Sequence, residues 1–461
     1  MAGIGFELKK VLRQGGILRF LGVSLAGTAI VAGPWLLSVL GIFLIQRYAQ
    51  LALLDAPLLF SSTIVYSYAF SLVLFTGPLY IFTRQVSDLI YEEKNRDAGS
   101  AHLAFLLATI ALAAAFAAAG VLPMRLQGIV THPTLFAAAA ISLFIVTCAN
   151  WVLLSFISLL KSYAGILLTY LGGSLASFFG TFLLGRVWST GGALLGYAIG
   201  QLMTVLVLYA MTMARFRPTS ISLKGFLSYL GRYRMLFSAG LLYAWATWAD
   251  KVVFWFTFGS RVPGSWMRTF DSYDVPIFFS ILTLIPGLIF FTIETETAFY
   301  PRLREFLRCV ASEPYQKIQE RKYAMIRSLG EALRGQGLLQ LIVSVTLILA
   351  APALGPGLFG QGMNVPALRV TLAAAFFHSL FLSLLIFLFY LEHYGRAAAS
   401  ALVFFAVNCA ASILIAALGD VRFLGASYLA GGILGSIAAG IFLVRALRRF
   451  DHTLFIRASR T

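Results

Sequence analysis

The chain is cut, almost from end to end, into apolar runs of roughly 20 residues separated by short polar stretches. A helix of that length crosses hydrocarbon, because about 20 residues at 1.5 Å each cover a core of about 30 Å. Six segments fall at Leu21 to Gln46, Leu59 to Thr83, Leu103 to Leu122, Leu135 to Leu160, Ala164 to Leu184 and Gly191 to Met213. Six more fall at Met235 to Phe258, Val275 to Thr292, Gly337 to Leu354, Val370 to Tyr390, Ala397 to Leu418 and Phe423 to Val444. The expected fold is an all-α polytopic membrane protein of about twelve transmembrane helices. Composition agrees: 60% of the 461 residues are hydrophobic and 11% charged, with a mean hydropathy of +0.87. No stretch between the segments is long enough to bury a core of its own.

An even number of spans puts both ends on one side, and basic residues tell which. Of the 35 Lys and Arg, 27 fall at the two ends and in the connections on that side, 7 fall in the opposite connections, and Lys251 lies inside a segment. Both termini are therefore expected in the cytoplasm of a bacterial inner-membrane protein. The net charge of +17 is spread in short groups with no extended basic face, which argues against a nucleic-acid partner and for membrane lipid. Cys148, Cys309 and Cys409 form no CxxC pair, so neither a disulfide framework nor a metal site is expected. Lys9, Lys10 and Arg13 precede an apolar stretch too long for a signal peptide, which should remain as the first span.

The layout reads as residues 1–20, a short amphipathic helix, 21–213, a first six-helix lobe, and 214–234, a cytoplasmic linker. A second six-helix lobe covers 235–444, and a basic tail covers 445–461. Within the second lobe, residues 299–336 repeat apolar positions at helical spacing opposite a charged face, which predicts a helix lying on the membrane surface. Division into six and six suits a transporter built from duplicated bundles. The second segment of each half pairs a proline with a glycine, Gly77 with Pro78 and Pro286 with Gly287, and the first segment carries Gly33 and Pro34. Such interruptions free backbone groups that are tolerated only against protein or a watery cavity, which makes these six residues hinge candidates.

Ionisable residues inside a bilayer mark function or fixed packing. The first six segments have none in their interiors, whereas the seventh carries Asp250 and Lys251 near its middle. Consecutive helical positions diverge by about 100°, so each is expected to find a further partner. Aromatic and amide side chains share several segments, Trp35, Asn150, Gln201, Tyr243, Trp245, Trp248 and Asn408 among them. Flat rings stack on sugar faces while amides bond hydroxyls, so these join Asp250 and Lys251 as candidates for a transport pathway. Glu294 and Glu296 are expected to form interfacial ion pairs with Arg302 and Arg304. Arg321 and Lys322, in the basic connection, are candidates for docking a partner. The five histidines are scattered and no phosphate-binding loop occurs, so no catalytic residue, cofactor or enzymatic activity is expected.

The opening Met1-Ala2-Gly3-Ile4-Gly5-Phe6-Glu7-Leu8-Lys9-Lys10, followed by Ala32-Gly33-Pro34-Trp35-Leu36-Leu37-Ser38, resembles the PelG family, the inner-membrane transporters of the Pel exopolysaccharide system. The likeness runs along the full length, with its sharp motif at the start. It implies a multidrug/oligosaccharidyl-lipid/polysaccharide exporter, a V-shaped pair of six-helix lobes around a cavity of alternating access. It also implies a cargo, a polymer of N-acetylated hexosamines exported for biofilm matrix, and three partners: the glycosyltransferase PelF and the membrane proteins PelD and PelE. Three rival readings stay open at this level. They are a lipid-linked oligosaccharide flippase, a cation-coupled drug antiporter, and a scaffold that anchors a synthase without transporting.

Overall fold

A computed structural model describes residues 54–158, 163–359 and 363–450. The expected segments from Leu59 onward fall on helices, with ends shifted by a few residues, and the one at Val275 to Thr292 is divided between two. The first expected segment, the amphipathic helix expected before it and most of the basic tail lie outside the described residues. Among the described residues, nine helical stretches are long and apolar enough to cross a membrane. The described chain forms two compact units, 54–244 with 259–269, and 245–258 with 270–450.

In the first unit, α1 (Pro57–Tyr91), α2 (Asn95–Val121) and α3 (Pro133–Ser158) pack around a cluster of Phe82, Phe105 and Phe156, with Phe82 and Phe105 stacked 4.5 Å apart. Pro57 begins α1, where its missing N–H is harmless. Helix α4 (Tyr163–Arg215) contains a sharp reversal at Trp188 and Ser189, the latter with φ 48°, so it is two antiparallel spans. Glycines let these backbones touch: a Cβ on Gly196 would stand 2.1 Å from the Gly180 carbonyl carbon. The reversal is clamped by Asp55, whose carboxylate accepts from Ser189 Oγ (2.9 Å), Thr190 Oγ1, Thr131 N (2.6 Å) and Thr131 Oγ1 (2.7 Å). The linker holds a short helix, α5 (Lys224–Arg232). The first turns of α6 (Arg234–Thr257) complete this unit.

A two-stranded hairpin, β1 (Ser260–Arg261) and β2 (Arg268–Thr269), also belongs to the first unit, although it lies within 235–444 in sequence. Tyr66 Oη donates to the Arg268 carbonyl (2.8 Å) and accepts from the Arg268 N–H (3.0 Å). Trp266 packs edge-on to Tyr66 and donates from Nε1 to the Gly120 carbonyl at 2.7 Å.

The second unit contains the rest of α6, then α7 (Asp271–Leu282), α8 (Ile285–Glu294), a wide turn at Thr295–Phe299 and α9 (Tyr300–Ser312). Helices α10 (Tyr315–Phe359), α11 (Val365–Tyr390), α12 (Tyr394–Leu418) and α13 (Ala426–Arg448) follow. Gly431 and Gly435 of α13 face the Phe404 side chain closely enough that a Cβ would approach its ring within 2.8 Å and its Cβ within 2.9 Å, respectively. Residues 299–336, expected as an amphipathic surface segment, lie in two helical pieces. Residues 315–336 form the first turns of α10, whose 45 residues extend about 68 Å, well beyond a bilayer. Helix α9 folds against them, joined by Arg321 to Glu305 (3.1 Å) and Arg302 to Glu331 (3.8 Å). The apolar side of 315–336, Ile318, Met325, Leu329 and Ala332, is buried, while Lys317, Arg321 and Arg327 stay exposed.

Candidate functional site

Helix α6 carries Asp250 and Lys251 into the interior of the second unit, where both are buried. The helix itself is apolar enough to sit among its neighbours, yet this pair and its aromatic residues set it apart from the nine strongly apolar stretches. Lys251 Nζ reaches back to Asp250 Oδ1 at 3.3 Å and donates to the Thr247 carbonyl at 2.7 Å. It also lies over the rings of Tyr428 (4.8 Å) and Trp248 (5.6 Å). Asp250 accepts from Tyr273 Oη and from Asn408 Nδ2 (3.3 Å), while Asn408 Nδ2 also donates to the Ala246 carbonyl (3.0 Å). The two side chains neutralise each other, and each has the further partner expected of it. A buried pair keeps both charges only when hydrogen bonds meet the remaining lone pairs and protons, and here three helices supply them.

Around this centre are residues the sequence reading passed over. Tyr428 Oη lies 2.9 Å from His378 Nδ1. Trp255 Nε1 donates to both oxygens of Asp274, at 2.9 and 2.8 Å. His378 stands in the middle of an apolar segment, and the rule that singled out Asp250 would have found it. Tyr273 and Tyr428 carried no such signal, because aromatic residues are abundant throughout.

The other pathway candidates separate by unit. Trp245 and Trp248 line α6 near the pair, with rings 6.4 Å from Phe405 and 6.1 Å from Trp255. In the first unit, Asn150 accepts from Tyr170 Oη at 2.8 Å, and Gln201 donates to Ser177 Oγ at 3.1 Å while Tyr68 Oη approaches its oxygen at 3.4 Å. Tyr243 is partly buried in α6. This unit therefore offers hydroxyls and amides, whereas the second holds the ion pair. Trp35, Gly33 and Pro34 lie outside the described residues.

Of the remaining hinge candidates, Gly77 and Pro78 sit in an unbroken α1, and a Cβ on Gly77 would stand 3.0 Å from the Phe237 carbonyl oxygen. Pro286 and Gly287 follow a real interruption between α7 and α8. There Gln340 Oε1 occupies the notch beside Gly287, 2.7 Å from where a Cβ would be. Lys322 is buried and donates to the Arg448 carbonyl at 3.3 Å, so of the two docking candidates only Arg321 presents its charge outward. Glu296 is buried in the wide turn, not laid out at an interface, and Arg302 pairs with Glu331. Among the described residues no three His, Cys, Asp or Glu side chains group as a metal site requires.

The fold is that of known transporters. A MATE transporter of Vibrio cholerae, VcmN, in its bent form shares 13% identity over 97% of this chain and 99% of that one, with a TM-score of 0.63. A MOP-superfamily transporter from Pyrococcus furiosus shares 12% over 92% and 96%, with a TM-score of 0.58. An inward-facing multidrug resistance MATE family transporter shares 12% over 86% and 91%, with a TM-score of 0.59. No curated protein matches the sequence. Over residues 1–455 the sequence matches the family described as "PelG: Putative exopolysaccharide Exporter (EPS-E)". The chain is a multi-pass membrane protein with a MATE-type transporter fold, and it belongs to the PelG family of exopolysaccharide exporters.

Proposed function

We propose that this protein carries a hexosamine-rich exopolysaccharide from the cytoplasm to the periplasm across the bacterial inner membrane, as a lipid-free chain destined for biofilm matrix. Membership of the exporter family across nearly the whole sequence is the observation that carries this reading. PelF would make the polymer, and PelD and PelE would complete the complex, with both ends of this chain in the cytoplasm as the bias of 27 basic residues to 7 suggests. The chemistry of the candidate residues supports a neutral cargo. Tyr68, Asn150 and Gln201 are hydroxyl and amide groups, and Trp245 and Trp248 offer ring faces.

The rival with the most similar cargo is a flippase for lipid-pyrophosphate oligosaccharides. A desolvated diphosphate needs Arg or Lys pairs, and Lys251, the cation at mid-depth of its segment, is engaged by Asp250. A drug antiporter coupled through a first-half carboxylate is disfavoured, since segments one to six carry none in their interiors. Proteoliposomes test the proposal. With the three partners and a nucleotide-activated N-acetylhexosamine outside, polymer should accumulate inside only when this protein is present. Translocation of lipid-pyrophosphate oligosaccharide by the purified protein alone would sink the polymer reading.

A further inference from the structure

We propose that the connection between the two six-helix halves, residues 214–234, is a binding surface for anionic phospholipid headgroups, an inference independent of the cargo. The segment contains Arg215, Arg217, Lys224, Arg232 and Arg234 and no Asp or Glu. Among the described residues none of these five meets a carboxylate. The other strongly basic stretch behaves differently: Arg302, Lys317, Arg321 and Arg327 each pair with a glutamate. Five unopposed charges in one short segment call for an anion from outside the chain.

Helix α5 shows which kind. One side docks on the protein: Gly225 lies against Gln85, Phe226 packs 5.0 Å from Phe105, and Tyr229 Oη donates to Asp88 Oδ2 at 3.2 Å. The other side exposes Leu223 and Leu227, one turn apart, and Ile221 precedes them, with 36, 61 and 64% of their surfaces open. Lys224 and Arg232, two turns apart, form the adjoining stripe and are exposed as well. A helix that sets an exposed leucine stripe beside a basic one suits the boundary between acyl chains and headgroups. The helix is placed to reach that boundary, because the preceding span ends at Arg215 and the following one begins at Arg234. A soluble acidic protein would satisfy the charges and leave the leucines in water; a leaflet containing phosphodiester headgroups meets both.

The experiment uses the full chain with its three native cysteines replaced by serine and a nitroxide at Leu227→Cys, in nanodiscs of phosphatidylcholine with or without one-third phosphatidylglycerol. Collision with oxygen, against collision with a water-soluble nickel chelate, reports depth. With phosphatidylglycerol the ratio should favour oxygen, and K224E/R232E should lower it several-fold while the melting temperature stays within a few degrees. Native mass spectrometry should show fewer phosphatidylglycerol molecules retained by that variant. A label open to nickel in both lipids, or a ratio and lipid count unchanged by the charge reversal, would overturn the proposal. So would protection of the label that appears only when partner proteins are added.

Discussion

Asp250 and Lys251, neighbours in the chain, close into a buried ion pair with Lys251 Nζ 3.3 Å from Asp250 Oδ1. Their positions on α6 diverge, so the lysine stem folds back to reach both the carboxylate and the Thr247 carbonyl. Removing one partner of such a pair leaves a lone buried charge and costs about 3–5 kcal/mol, whereas removing both is often near neutral. Asp250→Asn and Lys251→Met should each lower the melting temperature of the purified protein, and the double variant should recover most of the loss. Secreted polymer per unit of membrane protein should stay low in the double variant. Recovery of export together with stability would reduce the pair to a packing device.

Gly287→Ala tests the notch after the α7 break. The new methyl would stand 2.7 Å from Gln340 Oε1 and 3.5 Å from Ser379 Oγ, and Gln340 is itself buried. Overpacking of this kind typically costs about 1–3 kcal/mol. Shortening the obstructing side chain should relieve it, so Gly287→Ala combined with Gln340→Ala should be more stable than the sum of the single effects. Additive melting temperatures would show that the two sites do not touch.

The fold was legible because membrane helices must satisfy their own backbone groups, so run length alone locates them. Even the reversal at Trp188 and Ser189 showed as a gap between two apolar runs. Asp250 and Lys251 stood out for the related reason that ionisable groups are expensive in hydrocarbon, and Asn408 only as one amide among many aromatic residues. Their partners Tyr273 and Tyr428 arrive from other helices, and nothing local marks them. The same limit applies to residues 315–336. An amphipathic period looks alike whether its apolar face meets lipid or protein, and only the burial of Ile318, Met325 and Leu329 distinguishes the two.

Asp55 should make the first unit acid-sensitive. Partial burial raises its carboxyl pKa, but hydrogen bonds from Thr190, Thr131 and Ser189 outweigh this and hold it well below the usual carboxylate range. A group with a depressed folded pKa contributes its stability above the unfolded value of about 4, and loses it as pH falls toward the folded one. The melting temperature should therefore drop progressively below about pH 4, in part through this clamp. Asp55→Asn should lower stability at neutral pH and flatten part of that acid slope. An unchanged slope would place the acid sensitivity elsewhere.

The hairpin at 260–269 should be held to the first unit chiefly by Tyr66. Its hydroxyl serves both main-chain groups of Arg268, donating to the carbonyl and accepting from the N–H, while its ring packs against Trp266. Tyr66→Phe keeps the ring and removes both hydrogen bonds, leaving two backbone groups of β2 short of partners at about 1–3 kcal/mol. Trp266 remains bonded to the Gly120 carbonyl, and Gly264 still accepts from the Arg125 N–H at 2.8 Å, so the hairpin should loosen without leaving. Amide hydrogen exchange across residues 260–269 should accelerate in Tyr66→Phe while exchange in α2 and α3 stays as in the wild type. Trp266→Phe, which deletes the Gly120 bond and reduces the ring, should accelerate the same amides. If neither variant changes hairpin exchange, the docking rests on Arg125 and Gly264, and Gly264→Ala becomes the informative change. Its φ of 72° and a Cβ only 2.9 Å from the Arg125 carbonyl oxygen exclude a side chain there without local rearrangement.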